Sequence, residues 1–347
     1  MEKNKCIIIG GDFGEIPKSS SIVKKLSELL QCDSLNGGTI DDLINVKLND
    51  YDLILWFANI SNNEEKNYPK KPKGSVLICS KLIHDDVTDI DAVSRIFKMN
   101  ANAVISIRTN EKPFNFKLID ALGNVWCNTS DLNNLYDKIK DIYNFTNDSI
   151  RYKSISVSND ILDLSDYQQF IDLNKLVADK TESMGGRYFG NCSTRCDKML
   201  PSIRFNNDSI LVSRRNVDKN RLTVDDLVLV KLDYDIVQYN GKYKPSVDTP
   251  IQLQLYRIFP NINFMIHGHY YVDGVPFTEK YNLCGDVREV NSIFKFISIS
   301  KLGDKSNGII NLKNHGFLIY ASTLDNLDKL INNCNFIKRN IGFENIS

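Results

Sequence analysis

The sequence has no excess of charge of either sign. Its 347 residues include 43 lysines and arginines and 43 aspartates and glutamates, which gives a formal net charge of zero. A protein that binds nucleic acids or anionic membranes in a general way usually carries a basic excess. The balance argues against both classes, and we expect a small-molecule substrate with no nucleic-acid and no membrane partner.

Long apolar runs are missing as well. No stretch approaches the roughly 20 residues that a helix needs to cross a bilayer, and the apolar run near the N-terminus, Cys6–Gly10, is too short for a signal peptide. The eight cysteines include no pair with the two-residue gap of zinc knuckles or redox motifs. We interpret them as reduced thiols and expect a cytoplasmic protein.

Histidine is scarce, yet three of the four histidines lie in two short apolar segments. His267 and His269 would point the same way in a strand, because residues i and i+2 share a face. With His315 from a neighbouring strand they form a three-nitrogen set that suits a catalytic divalent metal with an open position. A bare His-x-His pair is more often an ordinary surface or core pair. The concentration of histidine in these segments favours the metal site, and His84 is interpreted as a solvated loop residue.

Residues 1–148 alternate short apolar runs with amphipathic helical patterns. Continuous apolar runs are typical of strands covered on both faces. The pattern predicts a small α/β domain with a mostly parallel sheet, Rossmann-like or flavodoxin-like, of unknown role. The predicted strands include Cys6–Gly10, Leu53–Phe57, Val76–Cys79 and Ala103–Ile107.

A glycine-rich turn, residues 10–14, follows the first of these strands. It could cradle a phosphate, but Asp12 stands where a dinucleotide-binding turn has its second glycine, and the P-loop lysine is missing. A tight strand-to-helix turn is the favoured interpretation, and a nucleotide site is the alternative.

The second half has a different pattern. Residues 149–160 are polar and predict a linker, residues 161–184 predict a helix, and the remainder of a second domain, 161–347, is rich in strands. The sequence thus predicts two domains, as expected at this length.

Seven segments of the second half, in order, resemble the motifs of the class II aldolase/adducin family over about residues 165–335. They are Gly190-Asn191-Cys-Ser193-Thr-Arg195, Leu222-Thr-Val-Asp-Asp, Lys244-Pro245-Ser246-Val-Asp248, Leu255-Tyr256-Arg-Ile-Phe-Pro260, His267-Gly-His269, Cys284-Gly285-Asp-Val-Arg-Glu289 and Asn314-His315-Gly316. The first 148 residues lie outside the resemblance.

The resemblance implies an α/β/α class II aldolase-like fold with a mainly antiparallel sheet, assembled as a homotetramer. It implies one divalent metal on His267, His269 and His315, with Zn²⁺ preferred and Mn²⁺, Co²⁺ or Fe²⁺ as alternatives. The implied activity is that of a lyase, which cleaves or forms a carbon–carbon bond in a small anionic hydroxy-carbonyl compound, such as a sugar phosphate, through a metal-stabilised enediolate. Alternatives on the same scaffold are an epimerase, a decarboxylase, a dehydratase or a non-catalytic, adducin-like assembly protein.

Asp248 stands where the family has an acid/base glutamate. Aspartate can transfer the same proton, although its side chain is one methylene shorter. The alternative is that Asp248 only caps the following helix, in which Pro250 occupies a permitted first-turn position. A cap and a base are not exclusive.

Ser213-Arg214-Arg215-Asn216 replaces the family's phosphate-gripping stretch. Arg214 and Arg215 could hold a phosphate or carboxylate through bidentate hydrogen bonds, or they could form a solvated turn. Asn191, Ser193 and Ser246 are further candidates for anion or substrate binding.

Overall fold

The computed structural model describes residues 5–10, 19–36, 47–57, 71–83, 88–108, 110–111, 113–181, 183–196, 209–299 and 305–339. Residues 11–14 of the predicted glycine-rich turn and His84 lie outside these ranges. Contacts divide the chain into one compact unit that is mainly Met1–Asp148 and a second that comprises Ser149–Ser183 and Arg187–Arg339. No helix within the described ranges is long and apolar enough to cross a membrane.

The described residues of the first unit form one seven-stranded sheet. Its strands are β1 (Cys6–Gly10), β2 (Asp33–Asn36), β3 (Leu53–Phe57), β4 (Val76–Ile83), β5 (Ala103–Arg108), β6 (Asn115–Asp120) and β7 (Val125–Thr129). They lie in the order β2-β1-β3-β4-β5-β6-β7. Neighbours from β2 to β5 are parallel, whereas β6 and β7 continue the sheet with antiparallel pairs.

Helices cover both faces of this sheet. They are α1 (Ser19–Leu30), α2 (Asp89–Met99) and α3 (Leu132–Asn147). Ile8 of β1 packs in one core with Leu135 of α3, whereas Ile9 packs in the other core with Ile96 of α2. The mixed α/β class is confirmed. The finer assignment as Rossmann-like or flavodoxin-like stays a prediction, because two antiparallel strands extend the parallel part.

The second unit is built on an eight-stranded sheet. Its strands are β8 (Lys153–Ser158), β11 (Asn191–Arg195), β12 (Ile210–Ser213), β13 (Leu227–Asp233), β14 (Ile236–Asn240), β15 (Phe264–Gly268), β17 (Gly308–Leu312) and β18 (Gly316–Ala321). Two further strand pairs are short: β9 (Ser183–Met184) pairs with β10 (Arg187–Tyr188), and β16 (Tyr271–Val272) pairs with β19 (Phe336–Ile337). The order in the large sheet is β17-β18-β15-β11-β12-β13-β14-β8. Every neighbouring pair in it is antiparallel except β14 and β8.

Helices pack on both faces of this sheet too. They are α4 (Gln168–Lys175), α5 (Thr249–Ile258), α6 (Glu289–Ile299) and α7 (Leu324–Asn332). Val212 of β12 packs in one core with Ile251 of α5, and its neighbour Leu211 packs in the other core with Phe170 of α4. Burying each such side chain contributes roughly 1.5–3 kcal/mol.

Two local predictions for the second half are wrong. The polar stretch 149–160 is not only a linker, because Lys153–Ser158 pairs with β14 as an edge strand. Residues 161–184 do not form one helix. The α-helical part ends at Lys175, and β9 begins at Ser183. Gly185 and Gly186 follow β9 with φ of +56° and +76°, and they turn the chain back towards β10.

Candidate metal centre

Three buried imidazoles meet at the ends of neighbouring strands in the second unit. His267 lies in β15, opposite Asn191 of β11 and Leu318 of β18. His269 comes just after β15, and His315 lies in the turn between β17 and β18. The ring centroids are 5.2 Å apart for His267 and His269, 4.7 Å for His267 and His315, and 5.3 Å for His269 and His315. One nitrogen from each ring lies within 4.8 Å of the others. The structure thus brings together the three histidines of the sequence prediction.

Gly316 permits this convergence. A Cβ atom on Gly316 would lie 1.9 Å from the carbonyl oxygen of Gly268, so no other residue fits without moving the backbone. Glycine here lets the turn that carries His315 approach the end of β15.

In two of the rings Nδ1 makes a hydrogen bond to the protein, so that Nε2 is the nitrogen available to a metal. His267 Nδ1 lies 2.7 Å from the carbonyl oxygen of Phe317, which only accepts, so Nδ1 donates and Nε2 carries a lone pair. His315 Nδ1 lies 2.9 Å from Oε1 of Glu289. His267 Nε2 is buried and has no hydrogen-bond partner among the described residues. Such an atom is costly to bury, and a bound cation would satisfy it.

The pKa shifts of the histidines follow from their surroundings. Burial, together with neighbouring His315, lowers the pKa of His267 to about 4. Burial and the other two imidazoles lower the pKa of His269 well below its usual value, which keeps both rings neutral. Burial acts in the same direction on His315, but Glu289 and Cys284 outweigh it and raise the pKa of His315 well above its usual value.

Two neighbours of His315 were not assigned a role from the sequence. Glu289, the first residue of α6, is buried, and burial raises its pKa. Cys284 is partly buried, and its Sγ lies 3.3 Å from His315 Nε2. In the sequence, only the motif Cys284-Gly285-Asp-Val-Arg-Glu289 pointed to these two residues.

Asp248 lies beside the histidines. Its Oδ1 accepts a hydrogen bond of 2.8 Å from the amide of Gly285, and its Oδ2 accepts one of 2.8 Å from Nδ2 of Asn191. A carboxylate oxygen of Asp248, Cys284 Sγ and a nitrogen of His315 lie within 4.8 Å of one another. Asp248 stands at the N-cap position of α5, but its side chain makes no capping hydrogen bond. The interpretation of Asp248 as a side-chain cap is therefore wrong.

The backbone at Gly285 positions this carboxylate. Gly285 has φ of +74°, and a Cβ atom there would lie 2.9 Å from the carbonyl oxygen of Val247. Only glycine combines that conformation with such a close approach.

The two adjacent arginines have different surroundings. Arg214 is held by Asp226, with Nε 2.5 Å from Oδ1, and its guanidinium lies 4.5 Å from the ring centroid of Tyr243. Arg214 thus already has a carboxylate partner, and its binding of a substrate anion stays a prediction. Arg215 remains accessible to solvent. Partial burial and the charge of Arg187 lower the pKa of Arg215, and Asp248 opposes that shift through its negative charge.

The three polar residues that were predicted to bind an anion or substrate, Asn191, Ser193 and Ser246, are buried. Asn191 binds Asp248, and Ser246 Oγ accepts a hydrogen bond of 3.4 Å from the amide of Asp248. Ser193 is fully buried, and its hydroxyl lies 3.1 Å from the Tyr256 hydroxyl. Ser193 therefore joins β11 to α5, and its role as an anion contact stays a prediction.

A buried cavity of about 20 Å³ adjoins the cluster and is lined in part by Asn191, Asp248, His267, Glu289 and His315. This volume holds about one water molecule and is far below the several hundred Å³ of a typical small-molecule site. A sugar phosphate is larger than this cavity, so a substrate of that size would have to reach the cluster from outside it.

Residues 168–272 match the family model of the Class II Aldolase and Adducin N-terminal domain. The chain carries a class II aldolase/adducin domain. The matched stretch contains Asn191, Asp248, His267 and His269, whereas His315 lies beyond it. The family that the seven motifs indicated is thus confirmed.

Curated proteins match this chain over short segments. An L-ribulose-5-phosphate 4-epimerase of Salmonella paratyphi B is 33% identical over 60 residues, which are 17% of this chain and 25% of that protein. A methylthioribulose-1-phosphate dehydratase of Yersinia enterocolitica is 37% identical over 68 residues, which are 20% of this chain and 31% of that protein. The chain therefore matches only about a quarter to a third of the length of these relatives.

Solved structures match this chain at lower sequence identity. An L-fuculose 1-phosphate aldolase shares 18% identity at a TM-score of 0.36, over 48% of this chain and 81% of that one. The N-terminal class II aldolase domain of a conserved protein from Thermoplasma acidophilum shares 15% identity at a TM-score of 0.35, over 50% of this chain and 92% of that one. Structural similarity at this level shows nothing about the reaction of this chain.

Proposed function

We propose that the class II aldolase/adducin domain holds one divalent cation on His267, His269 and His315 and acts as an aldolase-type lyase. Its substrate is a small anionic hydroxy-carbonyl compound such as a sugar phosphate. The observation that carries the proposal is the buried His267 Nε2, which lacks a hydrogen-bond partner among the described residues and belongs to a group of three convergent imidazoles.

Three imidazole nitrogens suit Zn²⁺ best, with Mn²⁺, Co²⁺ and Fe²⁺ as alternatives. When bound, the cation supplies a Lewis acid that stabilises negative charge on substrate oxygens. The fit is supported by the hydrogen bonds that His267 makes to the carbonyl oxygen of Phe317 and His315 makes to the carboxylate of Glu289, which fix the orientation of two of the rings.

Asp248 is the carboxylate that we propose to move the proton. Asn191 and Gly285 each donate one hydrogen bond to it, which fixes its orientation. A carboxylate has about four lone-pair positions, so both oxygens keep acceptor capacity for a substrate proton. Arg215 is proposed as the contact for the substrate anion, since Arg214 already binds Asp226.

A second candidate is an epimerase or dehydratase. The names of the two curated relatives favour it. Both reactions can use the same parts, because a cation that stabilises charge on adjacent oxygens and a carboxylate that moves a proton serve each of them.

Product analysis tests the proposal. The zinc-loaded protein is incubated with L-fuculose 1-phosphate, L-ribulose 5-phosphate or methylthioribulose 1-phosphate, and products are followed by phosphorus NMR. We expect conversion of at least one compound, loss of conversion after chelation and recovery with Zn²⁺. The double variant H267A/H269A is the control. A zinc-loaded protein that converts none of them would instead support a non-catalytic, adducin-like role.

A further inference from the structure

We propose that Cys284 is a fourth protein ligand of the divalent cation, which gives the centre three imidazole nitrogens and one thiolate. The inference rests on the proposed function, because it assumes that His267, His269 and His315 hold the cation. It adds a donor of a different chemical kind, which changes both the metal preference and the space left for a substrate.

The distance between Cys284 and His315 supports shared coordination. Cys284 Sγ lies 3.3 Å from His315 Nε2, the nitrogen that Glu289 leaves free for the metal. In a tetrahedral zinc site, with bonds of about 2.3 Å to sulfur and about 2.0–2.1 Å to nitrogen, neighbouring donors lie about 3.5 Å apart. The observed separation is close to that value.

The backbone around Cys284 holds the thiol in place. The amide of Gly285 donates to Asp248, and the amide of Asp286 donates to the carbonyl oxygen of Leu283 over 2.9 Å. Asp286 is fully buried and binds Arg288, with Oδ2 2.6 Å from Nη2. The loop is therefore fixed on both sides of Cys284, as a preformed ligand requires.

Asp248 is the competing fourth donor. Both of its carboxylate oxygens already accept hydrogen bonds, from Gly285 and Asn191. The Cys284 thiol has His315 as its hydrogen-bond partner and no other among the described residues. The thiol is the donor with fewer competing contacts, which leaves Asp248 available for proton transfer.

Binding would form one sulfur–metal bond and release one proton from the thiol to solvent, with no change of oxidation state. A thiolate favours Zn²⁺ and Co²⁺ over Mn²⁺ and Mg²⁺. With four protein donors, a substrate oxygen would need one further coordination position, which zinc sites can provide.

Cobalt substitution tests the inference. The metal-free wild type, C284S and a matched control, C334S, are each titrated with Co²⁺ and followed by absorption. We expect a near-ultraviolet thiolate-to-cobalt charge-transfer band in the wild type and in C334S. In C284S the band should be absent and the affinity for Zn²⁺ at least about tenfold lower, while visible cobalt bands show that the histidines still bind.

The outcomes separate the two proposals. A wild type that binds one Co²⁺ without the thiolate band overturns the role of Cys284 and leaves the three-histidine site standing. A wild type that binds no Co²⁺ overturns both.

Alkylation with iodoacetamide and peptide mapping of the wild type gives a second readout that needs no variant. Zn²⁺ should protect Cys284 and leave labelling of Cys334 unchanged, and equal labelling of Cys284 with and without Zn²⁺ would contradict the inference.

Discussion

Glu289 Oε1 lies 2.9 Å from Nδ1 of His315, and both side chains are buried. A carboxylate behind a metal-binding imidazole fixes the orientation of the ring and makes its other nitrogen a better ligand. The two residues are 26 positions apart in the sequence, and the start of α6 brings them together.

The first prediction concerns this pair. Replacing Glu289 with alanine leaves the ring without its partner, and we expect a loss of about 10- to 100-fold in Zn²⁺ affinity. E289Q should lose less, because its amide oxygen can still accept the hydrogen bond. Competition with a chromophoric chelator measures the affinity. E279A, in which the exposed partner of Lys295 is removed, is the control. Wild-type affinity in E289A would show that the carboxylate does not support the metal.

The second prediction separates proton transfer from metal binding. In D248N an amide nitrogen replaces one of the two acceptor oxygens, and we expect kcat to fall by about 10²–10⁴-fold while zinc content stays at the wild-type level. D248E restores a carboxylate, so it should retain more activity than D248N. The measurement is the steady-state rate on whichever sugar phosphate is converted. Loss of zinc in D248N would make Asp248 a ligand rather than a base.

The third prediction distinguishes the adjacent arginines. R215A removes a charge near Asp248, and we expect KM for a phosphorylated substrate to rise by about 10- to 100-fold with little change in kcat. R214A instead breaks the contacts with Asp226 and Tyr243, which should lower the free energy of unfolding by about 1 kcal/mol. Steady-state kinetics and chemical denaturation of both variants measure these effects. The reverse pattern would place Arg214 at the substrate.

The sequence could not distinguish Arg214 from Arg215. Both belong to one charged turn, and the partner of Arg214, Asp226, lies in a separate segment before β13. The histidines were predictable because a period of two places His267 and His269 together and because the family motifs include His315. Glu289 and Cys284 act through contacts with His315 that no local pattern contains.

The elements of the fold likewise differ in whether the sequence could predict them. Leu53–Phe57 was predicted with its observed bounds, since five apolar residues in a row are typical of a strand that is covered on both faces. Lys153–Ser158 was not predicted as a strand, because its apolar residues, Ile155 and Val157, are exposed at 43% and 40% and serines alternate with them. An edge strand with this pattern looks like a polar linker until its pairing with β14 is known.

The fourth prediction concerns the buried Lys219, whose ammonium group donates to the carbonyl oxygen of Val217 over 2.9 Å. Burial lowers the pKa of Lys219 from its usual 10.5 to about 8. Between pH 8 and 10.5 the unfolded chain binds this proton and the folded chain does not, so stability rises with pH, by up to about 1.4 kcal/mol per pH unit. Towards pH 8 this contribution is lost.

Denaturation of the wild type and K219M between pH 7 and 10 checks that prediction. The difference in unfolding free energy should increase in favour of the wild type as the pH rises through this window. K313M, at an exposed lysine, should follow the wild type. Parallel curves for the wild type and K219M would show that Lys219 keeps its ordinary pKa.

The central claim is that His267, His269 and His315 hold one cation, and zinc stoichiometry after equilibrium dialysis tests it most directly. The account predicts one Zn²⁺ per chain for the wild type and none at the same free concentration for H267A/H269A. The wild type should also melt at a higher temperature with Zn²⁺ than with chelator, because a ligand at about 100 times its Kd stabilises the fold by about 2.7 kcal/mol. A folded wild type that retains no Zn²⁺, or a double variant that retains one, would contradict the account.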